Sequence, residues 1–75
     1  PARAAEKGIE GRVIVQFIVG TDGSITNARV VRSVNQYLDK EALRVVSVMP
    51  RWKPGMQDGK PVRVRYTVPV TFRLS

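Results

Sequence analysis

Hydrophobic and polar residues alternate along the last third of the chain, in a pattern typical of a β-strand. Apolar side chains stand at every second position from Val62 to Leu74, with arginine, threonine or proline between them. Because successive side chains of a strand point to opposite faces of its sheet, residues 62–74 are predicted to form one long strand. One face of this strand is apolar, and the other is basic and polar.

Two runs nearer the start of the chain predict a β-hairpin. Residues 12–19 are rich in valine and isoleucine, and residues 25–34 form a second apolar-polar run. Asp22 and Gly23 lie between them, and an Asp-Gly pair between two strand-like runs favours a tight turn. Asn27 interrupts the alternation of the second run, which predicts a β-bulge or register shift there.

A helix is predicted between the second and the last strand. Residues 35–37 are expected to form a loop, with Asp39 as the N-cap, a hydrophobic staple between Leu38 and Leu43, and Pro50 ending the helix. The buried face of this helix is set by the spacing i, i+3, i+4, i+7. Its predicted members are Ala42, Val45, Val46 and Met49.

Two further segments complete the predicted elements. The first eight residues favour a short helix, with Pro1 suited to its first turn and Gly8 to the position past its end. Residues 51–61 contain two prolines and two glycines and are predicted to be a loop, in which Trp52 covers the core.

These elements predict a single α+β domain over residues 1–75. The order is α-β-β-α-β, and we expect a two-layer sandwich in which a three-stranded antiparallel sheet carries two helices on one face. A chain of 75 residues is too short for two separate cores. The chain begins with Pro1 and not with methionine, and we expect it to be part of a longer protein.

Composition narrows the classes of function. Thirteen Lys and Arg against six Asp and Glu give a formal charge of +7, which favours an acidic partner, nucleic acid or an anionic membrane surface. The chain has no cysteine and no histidine, which removes thiolate chemistry and also the commonest metal ligand and the commonest general base near neutral pH. We therefore expect a protein that is not an enzyme, with no catalytic residues, metal site or cofactor.

Nucleic-acid binding is the alternative function that the charge suggests. Proteins that bind RNA on a sheet display aromatic side chains there for stacking. Here Phe17, Tyr66 and Phe72 fall on the predicted core face of their strands. The sequence therefore favours no nucleic-acid partner, and a basic nucleic-acid-binding module is kept as the runner-up.

Pro69 indicates that the last strand lies at an edge of the sheet. Proline has no backbone N–H and is confined to edges, strand starts and bulges. It either protects an edge against aggregation or marks an edge that is open to a partner. Arg63, Arg65 and Arg73 on the outer face are either a solvated surface or a means of attracting an acidic extended peptide.

Ile14 and Ile18 fall on the face of the first strand opposite the predicted core. They are either isolated exposed apolar residues, which are common, or part of a contact with a second copy. A homodimer formed through exposed edges or an exchanged last strand is therefore a further expectation.

The order and spacing of several short motifs resemble the C-terminal domain of the TonB family across essentially the whole chain. The first hairpin, the start of the helix, the Trp-x-Pro turn and the last strand each match a family motif. The motifs are Gly11-Arg-Val-Ile-Val-Gln-Phe-Ile-Val, Asp22-Gly23-Ser-Ile-Thr-Asn27, Leu38-Asp39-Lys-Glu41-Ala42-Leu43, Pro50-Arg-Trp52-Lys-Pro54-Gly55, Gly59-Lys60-Pro61-Val62 and Pro69-Val70-Thr-Phe72. The Met-Pro-x-Trp and Gly-Lys-Pro-Val forms look closest to versions common in Bacteroidetes.

The resemblance implies a periplasmic domain of an energy-transducing protein. In the family, a membrane helix outside this sequence anchors the protein in the inner membrane and associates with ExbB and ExbD. The C-terminal domain grips the TonB box, an extended peptide of outer-membrane transporters, by β-strand addition. Carried onto this sequence, the partner-binding residues are Arg63, Val64, Arg65, Tyr66, Thr67, Val68, Pro69, Val70 and Thr71.

The resemblance leaves the surrounding architecture open. The same fold also ends sensor or peptidase-linked membrane proteins, which is a second alternative. This sequence departs from many family members at Ile14 and Ile18, where charged residues are common.

Overall fold

The chain forms one helix and five strands within the residues that the computed structural model describes, which are Gly8 and residues 10–73. In chain order the elements are β1 (Gly11–Val19), β2 (Ile25–Arg32), α1 (Gln36–Val48), β3 (Gly55–Gln57), β4 (Lys60–Val62) and β5 (Val64–Phe72). The α+β class and the three-stranded antiparallel sheet are as predicted. The predicted order was wrong for the described residues, because two additional strands precede β5. The helix predicted over residues 1–8 falls outside the described part of the chain.

The main sheet has the strand order β2-β1-β5, with β1 in the centre. Both neighbours are antiparallel to β1. The pairing of β1 with β5 is continuous from Gly11 opposite Phe72 to Val19 opposite Val64. β5 is therefore held along its whole length by one neighbour.

The pairing of β1 with β2 is interrupted by two register shifts. One lies between Gln16 and Ile18, where the partner changes from Arg29 to Thr26. At this shift β2 has one residue more than β1, and Asn27 lies in this part of β2. Its φ is 56°, a left-handed conformation that asparagine tolerates better than most residues. The β-bulge predicted at Asn27 is confirmed.

The core lies between the sheet and one face of α1. All its fully buried side chains are hydrophobic: Val13, Val15, Phe17, Val19, Leu38, Ala42 and Val46. Four come from alternate positions of β1, since the central strand is covered on both flanks. Ala42 and Val46 confirm two members of the predicted helical face, and Met49 packs against the core half-buried. Val45 was predicted to be buried but is only half-buried and lies outside this cluster.

The start of α1 differs from the prediction. Its N-cap is Asn35, whose side-chain oxygen accepts a hydrogen bond from the Tyr37 N–H at 2.8 Å. The Asp39 N–H already donates to the Asn35 carbonyl at 2.8 Å, so Asp39 lies within the helix. The expected loop at 35–37, the Asp39 cap and the Leu38–Leu43 staple were therefore wrong, because asparagine provided an earlier cap of equal quality.

Asp39 has a different structural role. Its carboxylate accepts hydrogen bonds from the Ser33 hydroxyl and from the Val34 N–H, the latter at 3.1 Å. These bonds fix the segment that leads into α1. At the other end, α1 stops at Val48 before Pro50, as predicted.

The long predicted strand over residues 62–74 is divided in the structure. Val62 belongs to β4 and pairs with Gly55 of β3, whereas Val64 begins β5 and pairs with Val19 of β1. Arg63 lies between them because the chain changes its pairing partner at this point. β5 ends at Phe72, and the predicted strand residue Leu74 lies outside the described residues.

Residues 51–61 were predicted to be a loop but contain a small hairpin. Only Asp58 and Gly59 separate β3 from β4. Both have positive φ, 50° and 76°, as a two-residue hairpin turn requires. The Asp-Gly signal was therefore present, but the flanking runs were too short to be read as strands.

Candidate functional site

The free flank of β5 is the candidate site. β5 ends the strand order of the main sheet, and β1 is its one strand partner among residues 10–73. The nine residues predicted to bind a partner form one continuous segment, with Arg63 just before β5 and the other eight within it. On the flank away from β1, no strand of residues 10–73 pairs with their backbone polar groups, and such a flank is a template for another strand.

Side chains of β5 alternate between two environments. Tyr66, Val68 and Val70 are half-buried and pack against the core, and Val64 is half-buried at the start of the same row. The residues between them are exposed on the opposite side of the sheet: Arg63, Arg65, Thr67, Pro69 and Thr71. A strand added to this flank would extend both surfaces.

Pro69 indicates the direction of the backbone groups of β5. Pro69 lies opposite Ile14 in an uninterrupted ladder, and proline is tolerated in a strand where its nitrogen faces away from the partner. Bonded and non-bonded positions alternate along an antiparallel pair. We infer that Thr67, Pro69 and Thr71 direct their backbone groups to the free flank, and that Tyr66, Val68 and Val70 direct theirs to β1.

An aromatic cluster supports the strand from the core side. The ring centroid of Trp52 lies 5.1 Å from that of Phe17 and 5.2 Å from that of Tyr66. Phe17 and Tyr66 are themselves cross-strand partners, with centroids 6.1 Å apart. The prediction that Trp52 covers the core is confirmed, and its contact with Tyr66 stabilises the middle of β5.

A polar chain crosses the outer face of the sheet from β2 to β5. The Arg29 guanidinium donates to Gln16 Oε1 at 2.9 Å, and Gln16 Nε2 donates to Thr67 Oγ1 at 3.3 Å. Sequence reasoning missed the role of Gln16. Its only signal was a polar residue between Ile14 and Ile18, and its partners follow from strand register, which the sequence did not provide.

The Arg63 end of β5 carries an open recess. It has a volume of about 250 Å³ and is lined by Ile18, Arg63, Val64 and Arg65. A second recess, of about 540 Å³, lies near the far end of β2 and is lined by Arg12, Ile14, Arg32, Ser33 and Val34. Both recesses combine guanidinium groups with an isoleucine of the outer sheet face.

Two carboxyl groups with perturbed pKa values lie away from β5. Hydrogen bonds from the Ser24 hydroxyl and N–H lower the pKa of Asp22 in the turn after β1. The Arg44 guanidinium lowers the pKa of Glu41 on α1 through a hydrogen bond and charge attraction, and the pKa of Arg44 rises in turn. These groups stabilise a turn and a helix.

The described segment contains no group of potential metal ligands. No three Asp, Glu, His or Cys side chains there are grouped as a metal site would require. No helix within that segment is long and apolar enough to cross a membrane. What the arrangement offers is a strand flank that can form backbone hydrogen bonds with another extended chain.

Comparisons with known proteins agree on one family. The family model described as "Gram-negative bacterial TonB protein C-terminal" matches residues 1–74. Protein TonB of Pseudomonas aeruginosa is 32% identical over 74 residues, covering 99% of this chain and 22% of that protein. Protein TonB of Helicobacter pylori is 31% identical over 75 residues, covering 99% of this chain and 25% of that protein.

A solved structure agrees with the sequence relatives. The solution structure of the Helicobacter pylori TonB C-terminal domain is 29% identical to this chain and superposes with a TM-score of 0.72. The alignment covers all of this chain and 67% of that one. The Bacteroidetes-like version expected from the motifs stays a prediction. The chain spans about a quarter of the length of its curated relatives, and it belongs to the TonB C-terminal domain family.

Proposed function

We propose that this chain is a periplasmic binding domain that grips the TonB box of outer-membrane transporters by β-strand addition. The observation that carries the proposal is that one flank of β5 has no strand partner among residues 10–73, in a member of the TonB C-terminal family. Arg63 to Thr71 form the gripping segment. The domain transmits inner-membrane proton-motive energy to the transporter and performs no catalysis itself.

Strand addition suits the transmission of force. Hydrogen bonds along the flank share a load that acts parallel to the strands. Each backbone bond contributes about 0.5–1.5 kcal/mol net, so a short ladder holds while remaining reversible. Backbone pairing depends little on side-chain identity, which lets one domain serve several transporters.

The full-length architecture is part of the proposal. A membrane helix preceding this segment anchors the protein in the inner membrane and associates with ExbB and ExbD. This assignment rests on family membership. The chain's relatives are about four times its length, which leaves room for such elements.

Nucleic-acid binding is not favoured as an alternative. The aromatic side chains of β1 and β5 pack towards the core, as does Trp52. The outer sheet face of the described residues therefore presents arginine, isoleucine and threonine without a stacking surface. A sensor or peptidase-linked protein with this fold is likewise not favoured by the relatives, which are both TonB proteins.

A backbone substitution tests the proposal. Thr67→Pro removes an N–H that faces the free flank, while Thr67→Ala removes the same hydroxyl and keeps the N–H. In a titration of the ¹⁵N-labelled chain with a TonB-box peptide, we expect amide shifts concentrated in residues 63–71. Thr67→Pro should weaken binding severalfold more than Thr67→Ala. Shifts concentrated elsewhere would contradict the assignment of β5, and preferential binding of random DNA would favour the nucleic-acid alternative.

A homodimer formed through the same flank is a secondary proposal. An unpaired strand edge is a template for a second copy as well as for a peptide. Ile14 and Ile18 on the adjoining face are half-buried and offer apolar contact area. Sedimentation that shows only 8.4 kDa particles at high concentration would dismiss the dimer without affecting peptide binding.

A further inference from the structure

Positive charge lies beside the free flank of β5, on the outer side of the sheet. Arg63 and Arg65 are both exposed and line the same recess with Ile18 and Val64. Two successive positions on the same face of a strand are about 6.4–6.8 Å apart. Within residues 10–73 neither guanidinium is joined to a carboxylate, and the ion pair found there links Arg44 to Glu41 on α1.

The opposite side of the same flank is apolar. Tyr66, Val68 and Val70 pack against the core yet stay half-buried, and Val64 is half-buried in the same row, because no further strand covers them in the described chain. An added strand would bring every second side chain next to this row. Apolar side chains there would continue the core surface, and each would gain free energy in proportion to the area removed from water.

We propose that Arg63 and Arg65 select an amphipathic strand, with carboxylates on the outer side and apolar residues on the core side. The inference rests on the proposed function, since it specifies what the β5 flank prefers to bind. Directly opposed side chains of paired strands have Cβ atoms about 4.5–5.5 Å apart. A carboxylate at such a position lies within reach of one or both guanidiniums, which bind carboxylate oxygens in a planar fork.

The preference concerns the pattern of the peptide and not merely its charge. Side chains of a strand alternate between the two faces, so acidic residues reach the arginine side together only when they occupy every second position. A peptide of the same composition with its acidic residues in one block places about half of them against the apolar row. Any basic surface would attract both peptides equally, whereas this flank should distinguish them.

A peptide comparison tests this preference. The first peptide has three glutamates alternating with three valines, the second has the same residues in two blocks, and the third has lysine in place of each glutamate. Dissociation constants are measured for the 75-residue chain at low salt, with the site of contact read from amide shifts. We expect the alternating peptide to bind about three- to tenfold more tightly than the block peptide, and the lysine peptide to bind most weakly.

Matched charge variants complete the test. Arg63→Gln with Arg65→Gln should abolish the preference for the alternating peptide. Arg32→Gln with Lys40→Gln removes the same charge from β2 and α1, away from the flank, and should preserve it. The preference should also decrease as salt is raised, because exposed charge pairs are screened.

The possible failures are distinguishable. Equal affinities of the alternating and block peptides, with shifts on β5, would overturn the selectivity and leave strand addition intact. Equal loss in both charge variants would assign the effect to net charge and would also overturn it. An absence of β5 shifts with every peptide, including a TonB-box peptide, would refute the proposed function itself.

Discussion

Gly23→Ala should destabilise the domain more than any other glycine-to-alanine change in its turns. Gly23 is buried in the turn between β1 and β2 and has φ +84°. Its N–H donates to the Gly20 carbonyl at 2.9 Å, and its carbonyl accepts from the Trp52 N–H at 2.9 Å. A Cβ at this position would lie 2.2 Å from the Trp52 carbonyl oxygen, which is backbone and cannot rotate away.

The magnitude has three contributions. A left-handed conformation costs a non-glycine residue roughly 1–2 kcal/mol. Displacing the Trp52 segment loses a hydrogen bond worth about 0.5–1.5 kcal/mol. It also weakens the edge-to-face contact of Trp52 with Phe17, and such a contact is worth about 0.5–1.5 kcal/mol. We therefore expect a loss of about 2–5 kcal/mol in the free energy of unfolding.

Gly59→Ala is the matched control. Gly59 has a similar φ of +76°, but nothing lies within 4 Å of its added Cβ. It should lose only the conformational contribution of roughly 1–2 kcal/mol. Urea unfolding followed by Trp52 fluorescence separates the two variants, since a domain of 75 residues has only about 4–11 kcal/mol of total stability. Equal losses in both variants would refute the argument that contact with the Trp52 backbone dominates.

Three further predictions concern the helix, the first turn and β5. Leu38→Ala removes a fully buried side chain and should lower the free energy of unfolding by about 2–5 kcal/mol in urea unfolding. Val48 on the same helix is 67% exposed, and Val48→Ala should change the free energy of unfolding by less than about 0.5 kcal/mol. Asp22 has a pKa below its ordinary 3.8, so its contribution to stability is complete above pH 3.8 and is lost as pH falls through the lower folded value. Ser24→Ala removes the largest cause of that shift and should reduce the fall of the urea midpoint between pH 5 and pH 2; an unchanged fall would contradict the role of this bond. Pro69→Val should cost at most about 1 kcal/mol, because its nitrogen faces away from β1, whereas Val68→Pro should cost at least about 1–3 kcal/mol by leaving a carbonyl of β1 unpaired. The reverse order, measured by thermal unfolding, would show that the direction of the β5 backbone is misassigned.

The sequence alone predicted the strands that have a regular pattern of apolar and polar residues. The apolar run of β1 predicted a strand whose inward residues are fully buried, and the strict alternation along β5 predicted a strand whose inward residues are half-buried. Asp22-Gly23 predicted the turn, and Asn27 predicted the bulge because it interrupts the alternation of its run. Gly23 and Asn27 both have positive φ in the structure, a conformation that few residue types adopt. Pro69 likewise indicated an edge strand, since a missing N–H is tolerated at few places in a sheet.

The predicted bounds of the helix and of the last strand were wrong at places where the local sequence fits more than one structure. Asn35 and Asp39 are both good N-caps, and the helix uses Asn35, four residues earlier, which places the fully buried Leu38 in its first turn. The alternation from residue 62 onward continues without a break, yet Val62 pairs with Gly55 while Val64 pairs with Val19. A change of pairing partner does not alter the alternation of apolar and polar residues, so the sequence pattern did not predict it.

Some properties of the candidate site could be predicted from the sequence, and others required the structure. Its nine residues were implied by the family resemblance, and their two faces followed from alternation, which is a local property of the chain. The order β2-β1-β5, which leaves one flank of β5 without a strand partner in the described part of the chain, depends on which strands meet in space. Strand register also decided that Gln16 joins Arg29 to Thr67 and that Ile18 shares a recess with Arg63 and Arg65. Such contacts join residues more than ten positions apart, and only the tertiary structure brings them together.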